Sequence, residues 1–189
     1  MLKSLVIILA FGSGLGTLAS QAQDAGQWAG FYAGLTASSN KGDMVYDDGG
    51  IYDLDGTTSG LMLGYNYATG PWVIGAELAY AKGRVEEVGN TNFAFESSLD
   101  LKGRAGYAIS NVLLYGTLGG TFTRWDEGGN GPFDGDGLLL GVGVDYLVSP
   151  QFFIGAEYVV RDVTSDWNSL GSTLDANVNT VSLRAGLKF

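Results

Sequence analysis

The sequence predicts an all-β chain, an eight-stranded antiparallel up-and-down transmembrane β-barrel with an N-terminal signal peptide. Three observations carry that expectation. Beyond residue 22, apolar and polar residues alternate with the period of two that marks strands. Three short turn signals, Thr69-Gly70-Pro71, Ser110-Asn111 and Ser149-Pro150, stand about 40 residues apart and alternate with four longer polar stretches. Four charges on the apolar faces, Lys82, Arg84, Arg124 and Asp162, lie 10 to 13 residues from their short turn. A strand crosses hydrocarbon in roughly 9–11 residues, so all four emerge at one rim and none at mid-membrane.

The elements follow in order. Lys3 is a positive start, Leu5 to Leu18 is apolar, and Ser20-Gln21-Ala22 places small residues at −3 and −1. This is the pattern of an export signal cleaved after Ala22, which leaves 23–189 as the barrel domain. A retained membrane helix is the rival, disfavoured by the breaks at Gly12, Ser13, Gly14 and Gly16. Strands are expected at 28–39, 57–69, 72–85, 93–109, 112–125, 137–148, 152–164 and 177–189, with loops near 40–57, 86–92, 126–137 and 165–176. The fourth strand alternates most clearly. Phe93, Phe95, Leu99, Leu101, Ala105, Tyr107 and Ile109 share one face, opposite Glu96, Ser98, Asp100, Lys102, Arg104 and Gly106. The sixth sets Leu138, Leu140, Val142, Val144, Tyr146 and Val148 against Gly141, Gly143 and Asp145, and the eighth repeats the pattern from Val181 to Phe189.

Alternation alone fits a soluble barrel with its apolar face inward or a membrane barrel with that face outward. Aromatics favour the second arrangement. Tyr67, Trp72, Tyr107, Tyr146, Phe152 and Phe189 gather near the short turns, and Tyr80, Phe93, Phe95, Phe122 and Tyr158 near the long loops. Two such girdles are what the interfaces of a bilayer select. The polar faces carry five acids, Glu77, Glu96, Asp100, Asp145 and Glu157, and five bases, Lys102, Arg104, Arg161, Arg184 and Lys188. A narrow lumen needs that balance, because a buried unpaired charge is costly. Glycines on the same faces (Gly64, Gly75, Gly106, Gly119, Gly141, Gly143, Gly155, Gly186) are expected to leave room for the long Arg and Lys side chains. Lipid offers backbone groups no partner, so the sheet must close.

Composition narrows function. Glycine supplies 31 of 189 residues, yet 46% are hydrophobic and 16% charged, which is not a disordered composition. The net charge of −10 speaks against a nucleic-acid partner, since phosphate neutralisation needs clustered Lys and Arg. With no Cys and no His, thiol nucleophiles, Cys/His zinc sites and imidazole-based catalysis are excluded. No enzyme activity and no cofactor are expected.

The segment Trp28-Ala29-Gly30-Phe31-Tyr32-Ala33-Gly34 and the terminal Val181-Ser182-Leu183-Arg184-Ala185-Gly186-Leu187-Lys188-Phe189 together resemble the small Gram-negative outer-membrane barrels of the porin-family or opacity-type group, especially those of alphaproteobacteria. The resemblance implies an outer-membrane location among lipids and lipopolysaccharide. It also implies insertion by the barrel-assembly machinery, with Val181, Leu183, Ala185, Leu187 and Phe189 matching the C-terminal signal that machinery reads. Members are variously porins, envelope-stabilising proteins or surface antigens, so no single activity follows. No appended peptidoglycan-binding domain is expected after Phe189.

Four sets of residues are weighed for function. The ten lumen charges form either a salt-bridged plug or a selectivity lining, and eight strands favour the plug. Lys82, Arg84 and Arg124 are candidate lipopolysaccharide contacts at the outer rim, against ordinary snorkelling to water. The acidic stretches Asp47-Asp48-Gly49-Gly50 with Asp53 and Asp55, and Asp126-Glu127 with Asp134 and Asp136, lack the spacing of a calcium loop and read as solvated loops. Tyr46, Ile51, Tyr52, Phe133 and Trp167 are candidate anchors for a surface ligand that the sequence does not identify. The expected function is an outer-membrane structural or surface protein. A small-solute porin and a soluble lipocalin-like carrier are the alternatives.

Overall fold

A computed structural model describes residues 25–46, 50–88, 90–126, 132–166 and 173–189. Among these residues are one 3₁₀ turn, Ala25–Trp28, and eight strands: β1 (Gly30–Tyr46), β2 (Ile51–Thr69), β3 (Trp72–Glu87), β4 (Asn90–Ile109), β5 (Val112–Asp126), β6 (Pro132–Leu147), β7 (Phe152–Asp166) and β8 (Thr173–Lys188). Each strand pairs antiparallel with its sequence neighbours, and β1 pairs with β8 to close the barrel. Backbone donors and acceptors are therefore satisfied within the sheet, as lipid requires.

Apolar side chains face outward. Leu35, Leu61, Leu101, Leu118, Leu138, Leu140 and Leu183 are all more than half exposed on the barrel wall, whereas their sequence neighbours turn inward. The carrier alternative loses the inward apolar face it needs. The tight turns explain themselves locally. Gly70 takes a left-handed φ of 56° in the two-residue connection between β2 and β3, a conformation glycine adopts without steric cost. In the β4–β5 connection Ser110 does the same at φ 53°, which costs an L-residue about 1–2 kcal/mol.

Two expectations need correction. The strands run well beyond the predicted limits: β1 and β2 stay in register up to Val45 opposite Ile51, and β5 opposite β6 up to Asp126 and Pro132. Most of the predicted loop residues thus belong to strands. Their polarity marks the end of the membrane, not the end of the ladder, because closure gives each strand two partners above the lipid as well as within it. The second correction concerns phase. Register shifts fall on β4 between Phe95 and Ser97 against β5, and on β3 between Lys82 and Val85 against β4. A bulge there moves Phe95 to the inside, opposite Val85 and Trp125, and leaves Glu96 only partly buried.

Neighbouring partners trace the stagger of the barrel. From Tyr32 the row passes Gly64, Glu77, Lys102, Gly119, Leu139, Arg161 and Val178, and returns to β1 at Gly42, ten residues further along. This shear tilts the strands and lets inward residues from distant strands share one height.

Candidate functional site

The lumen is built in layers. At the periplasmic end, the end with the short connections, Ala25, Trp28, Tyr32, Met62, Val73, Leu113, Leu147 and Phe153 form an apolar cluster. The 3₁₀ turn lies across it. Ala25 N donates to Gly70 O at 3.0 Å, Gln27 Nε2 donates to Ser110 O, and Asn66 Nδ2 donates to Trp28 O at 3.3 Å. The Trp28 ring stands edge-on to Phe153 at 6.4 Å.

Above this layer three bases meet three acids, all at most 5% exposed. Glu77 is the hub. Its Oε1 lies 2.6 Å from Lys102 Nζ, and its Oε2 lies 2.6 Å from Arg184 Nη2 and 3.3 Å from Arg104 Nη1. Tyr32 OH donates to the same Oε2 at 2.7 Å and accepts from Arg104 Nη1 at 2.6 Å. Asp145 takes Arg104 Nη2 at 2.7 Å and Arg184 Nε at 3.2 Å, and Glu157 takes Lys102 Nζ at 2.8 Å and Arg184 Nη1 at 3.4 Å. Each buried charge thus has at least two opposite neighbours, the condition under which burial of ions is tolerable.

Aromatic rings shelve the guanidinium groups. Arg104 sits 3.9 Å from the Tyr115 ring centroid and Arg184 5.5 Å, within cation–π range. Three of the eight inward glycines make room for aromatic rings, and none of the eight has an Arg or Lys side-chain atom among its nearest neighbours, which corrects the expectation that they serve the basic side chains. Tyr32 lies over Gly64, Tyr115 over Gly143 and Phe153 over Gly186, each pair being direct cross-strand partners. Gly155 serves the charge cluster, since Asp145 crosses it on the way to Arg184.

Further up, Arg161 pairs with Asp100 at 2.6 Å, and Asp100 also accepts from Thr121 Oγ1 at 2.7 Å. Arg161 Nη1 donates to Thr180, which donates to Asn40 Oδ1 at 2.8 Å, while Asn40 Nδ2 donates to Thr58 at 3.1 Å. A cavity of about 40 Å³ lies here between Asp100, Glu157, Thr180 and Trp125, enough for a few waters. A second apolar cluster of Met44, Leu54, Val85, Phe95, Trp125 and Val178 covers it toward the outside.

Eight of the ten predicted lumen charges therefore meet in ion pairs. Glu96 does not join them, because the bulge shifts it out of phase; among the described residues it makes no ion pair. Lys188 is inward but stays at the periplasmic end, where it donates to Gln27 O. The sequence reading missed Glu87, a buried acid near the outer end that keeps the odd-numbered inward phase of β3. It also missed Tyr32, Tyr115, Phe153 and Trp125 as lumen residues. A glycine directly across from each of the first three was the available signal.

The rim bases Lys82, Arg84 and Arg124 are exposed on the outer wall as expected. Arg84 pairs with Glu86 at 2.6 Å, and Arg124 loosely with Asp134 at 3.9 Å. Val181, Leu183, Leu187 and Phe189 face outward along β8. Among the described residues, no three acidic side chains gather as a metal site. Residues 1–22 and Asp47, Asp48, Glu127 and Trp167 lie outside the described residues, as do the side chains of Tyr46, Phe93, Asp126 and Phe133.

A closed eight-stranded barrel with an apolar outer wall and a polar, ion-paired interior is a membrane-spanning β-barrel. The chain belongs to the outer membrane protein beta-barrel domain family, whose model matches residues 11–189, and its place is the outer membrane. It is 32% identical over 174 residues to the 22 kDa outer membrane protein of Rhizobium leguminosarum bv. viciae, covering 87% of this chain and 80% of that protein. It is 29% identical over 199 residues to outer membrane protein A of Salmonella typhi, covering 97% of this chain and 55% of that relative's length. Among solved structures, Neisserial surface protein A shares the fold with a TM-score of 0.61 at 20% identity, over 85% of this chain and 98% of that one. Ail, the attachment invasion locus protein of Yersinia pestis, does so with a TM-score of 0.52 at 21% identity, over 85% and 99%.

Proposed function

We propose that the protein is a structural and surface element of the outer membrane whose lumen is a non-conducting plug and whose acidic outer hairpins face the medium. The observation that carries this is the six-residue cluster of Glu77, Lys102, Arg104, Asp145, Glu157 and Arg184, held between two apolar layers. An ion crossing it would have to displace contacts in a site that water scarcely reaches, and eight strands leave an interior only wide enough for side chains. The net charge of −10 and the exposed Asp43, Asp53, Asp55, Asp134 and Asp136 support acidity of the outer part.

Export and insertion complete the proposal. Residues 1–22 act as a cleaved signal peptide. Val181, Leu183, Ala185, Leu187 and Phe189 present the assembly machinery with one continuous apolar edge face.

The test is conductance of the refolded protein (residues 23–189) in a planar bilayer, with folding checked by the mobility difference between boiled and unboiled samples. A silent bilayer is expected. Discrete, stable openings whose ion preference changes in Arg104→Gln or Glu157→Gln would overturn the plug and make the protein a small-solute porin.

A further inference from the structure

Two rows of charge, opposite in sign, stand on opposite walls of the barrel at its outer rim. On β3, β4 and β5 the outward residues Lys82, Ser97 and Arg124 are direct cross-strand neighbours. On β1, β8 and β7 so are Asp43, Asn177 and Asp162. Each row sets two exposed charges two strand spacings apart, about 10 Å, with a short polar residue between them. Around the closed sheet β4 and β8 are four strands apart in either direction, so the rows are diametrically opposed. Neither row is satisfied within its own chain. Lys82, Asp43 and Asp162 make no ion pair among the described residues, and Arg124 reaches only the exposed Asp134 at 3.9 Å. Asp43 also has a like charge, Asp53, as its cross-strand partner.

On the membrane side of the basic row the wall is hollow. Gly103 and Gly116 face lipid, together with Ala76, the direct partner of Gly103, and Ala105, the direct partner of Gly116. A Cβ at either glycine would meet nothing nearer than 3.6 Å, so the barrel itself does not require glycine there. Glycine inside a strand weakens it and marks a place where another backbone or a ligand approaches closely. On the opposite wall, on the membrane side of Asn177, Leu183 projects from β8 and is 67% exposed.

We propose that the basic wall of one copy packs against the acidic wall of a second copy of this chain, both upright in the same membrane. Strand order runs the same way round both barrels, so facing walls meet with that order reversed. Arg124 then faces Asp162 and Lys82 faces Asp43, on either side of the line where β4 meets β8, and Leu183 enters the hollow at Gly103 and Gly116. Lipid offers every apolar wall the same contact, so shape and the polar rim decide which walls associate. Lys41, a base on the acidic wall, is held by Asp55 at 3.3 Å and leaves the two facing acids free. The contact is heterologous: each copy keeps one unused wall, so association extends into rows and does not close as a dimer. The proposal rests on the membrane placement and is independent of the plug.

The chain has no cysteine, so introduced thiols report contact without background. Ser97→Cys with Asn177→Cys in one chain, treated with a short bis-maleimide in outer membranes of expressing cells, should give a ladder of dimer, trimer and higher species. Only protein with heat-modifiable mobility is scored. Either substitution alone should give no ladder, and dimer from Ser97→Cys alone would mean that basic walls meet each other, which overturns the proposal. Ser59→Cys with Leu138→Cys, on the opposed walls of β2 and β6, measures chance collision, and an equal ladder there would also overturn it. Lys82→Glu with Arg124→Glu should lower the ladder about tenfold, as like charges replace opposite ones. Adding Asp43→Lys and Asp162→Lys to the same chain should restore it, and no recovery would remove charge as the determinant. Gly116→Leu, which fills the hollow from the lipid side, should lower the ladder while leaving the urea midpoint of the detergent-folded barrel unchanged. None of these readings depends on whether the lumen conducts, so failure here is distinguishable from failure of the plug.

Discussion

The same ion-pair chemistry occurs in two regions of this barrel with opposite consequences. Inside, Glu77, Asp145 and Glu157 meet Lys102, Arg104 and Arg184 almost out of contact with water. Outside, Lys41–Asp55, Arg84–Glu86 and Arg124–Asp134 stand on the wall above the girdle, largely exposed. Removing one partner from the inner set strands a charge in low dielectric, whereas water replaces a lost partner in the outer set. Burial, more than distance, decides what a contact contributes: the 2.6 Å pair Arg84–Glu86 is as short as Arg184–Glu77.

Four substitutions break or sharpen this contrast. Glu77→Gln is the most severe. It leaves three cations facing two carboxylates and should cost about 3–5 kcal/mol, read as a lower urea midpoint of the detergent-folded barrel. A second change, Arg184→Gln, should recover part of that loss, and strictly additive losses would show that the cluster is not coupled. Gly143→Val tests the packing beneath the charges. Its side chain collides with the Tyr115 ring, with an expected loss of about 1–3 kcal/mol; Tyr115→Ala in the same chain should remove the clash, seen as a smaller effect of the valine.

On the outer hairpin the sign reverses. Asp43 and Asp53 are direct cross-strand partners, and like charges so placed repel. Asp43→Asn should therefore stabilise by roughly 0.2–1 kcal/mol, more at low salt than at high salt, and a salt-independent result would rule out charge as the cause. Lys41→Ala is the smallest, within about 0.5 kcal/mol of the parent. A loss on the scale of Glu77→Gln would mean the outer pairs are not the weak contacts their exposure implies.

How much of this was legible before the fold is best judged from single positions. Asp100, Lys102 and Arg104 follow one another at spacing two, so their shared inward face needed only strand geometry. Phe95 had the same apparent credentials for the opposite face and went inward, because a bulge is a property of three adjacent strands and leaves no local mark. Glu87 was hidden by the assumption that polarity ends a strand. Lys82, Ser97 and Arg124 were individually visible as rim residues or as a serine. Their common row depends on the registers of β3, β4 and β5.

Residue alternation, turn spacing and the placement of charges were enough to determine the strand count, the closed antiparallel order and the inversion of inside and outside. All three follow from the period of two and from what a bilayer excludes, and both act on each strand separately. The partners inside the lumen were decided only by the tertiary structure. Glu77 and Lys102 are neighbours in register, but Glu77 and Arg184 are 107 residues apart and meet across the barrel. Which inward side chains share a height depends on the ten-residue stagger accumulated around eight strands, a quantity that exists only once the sheet has closed.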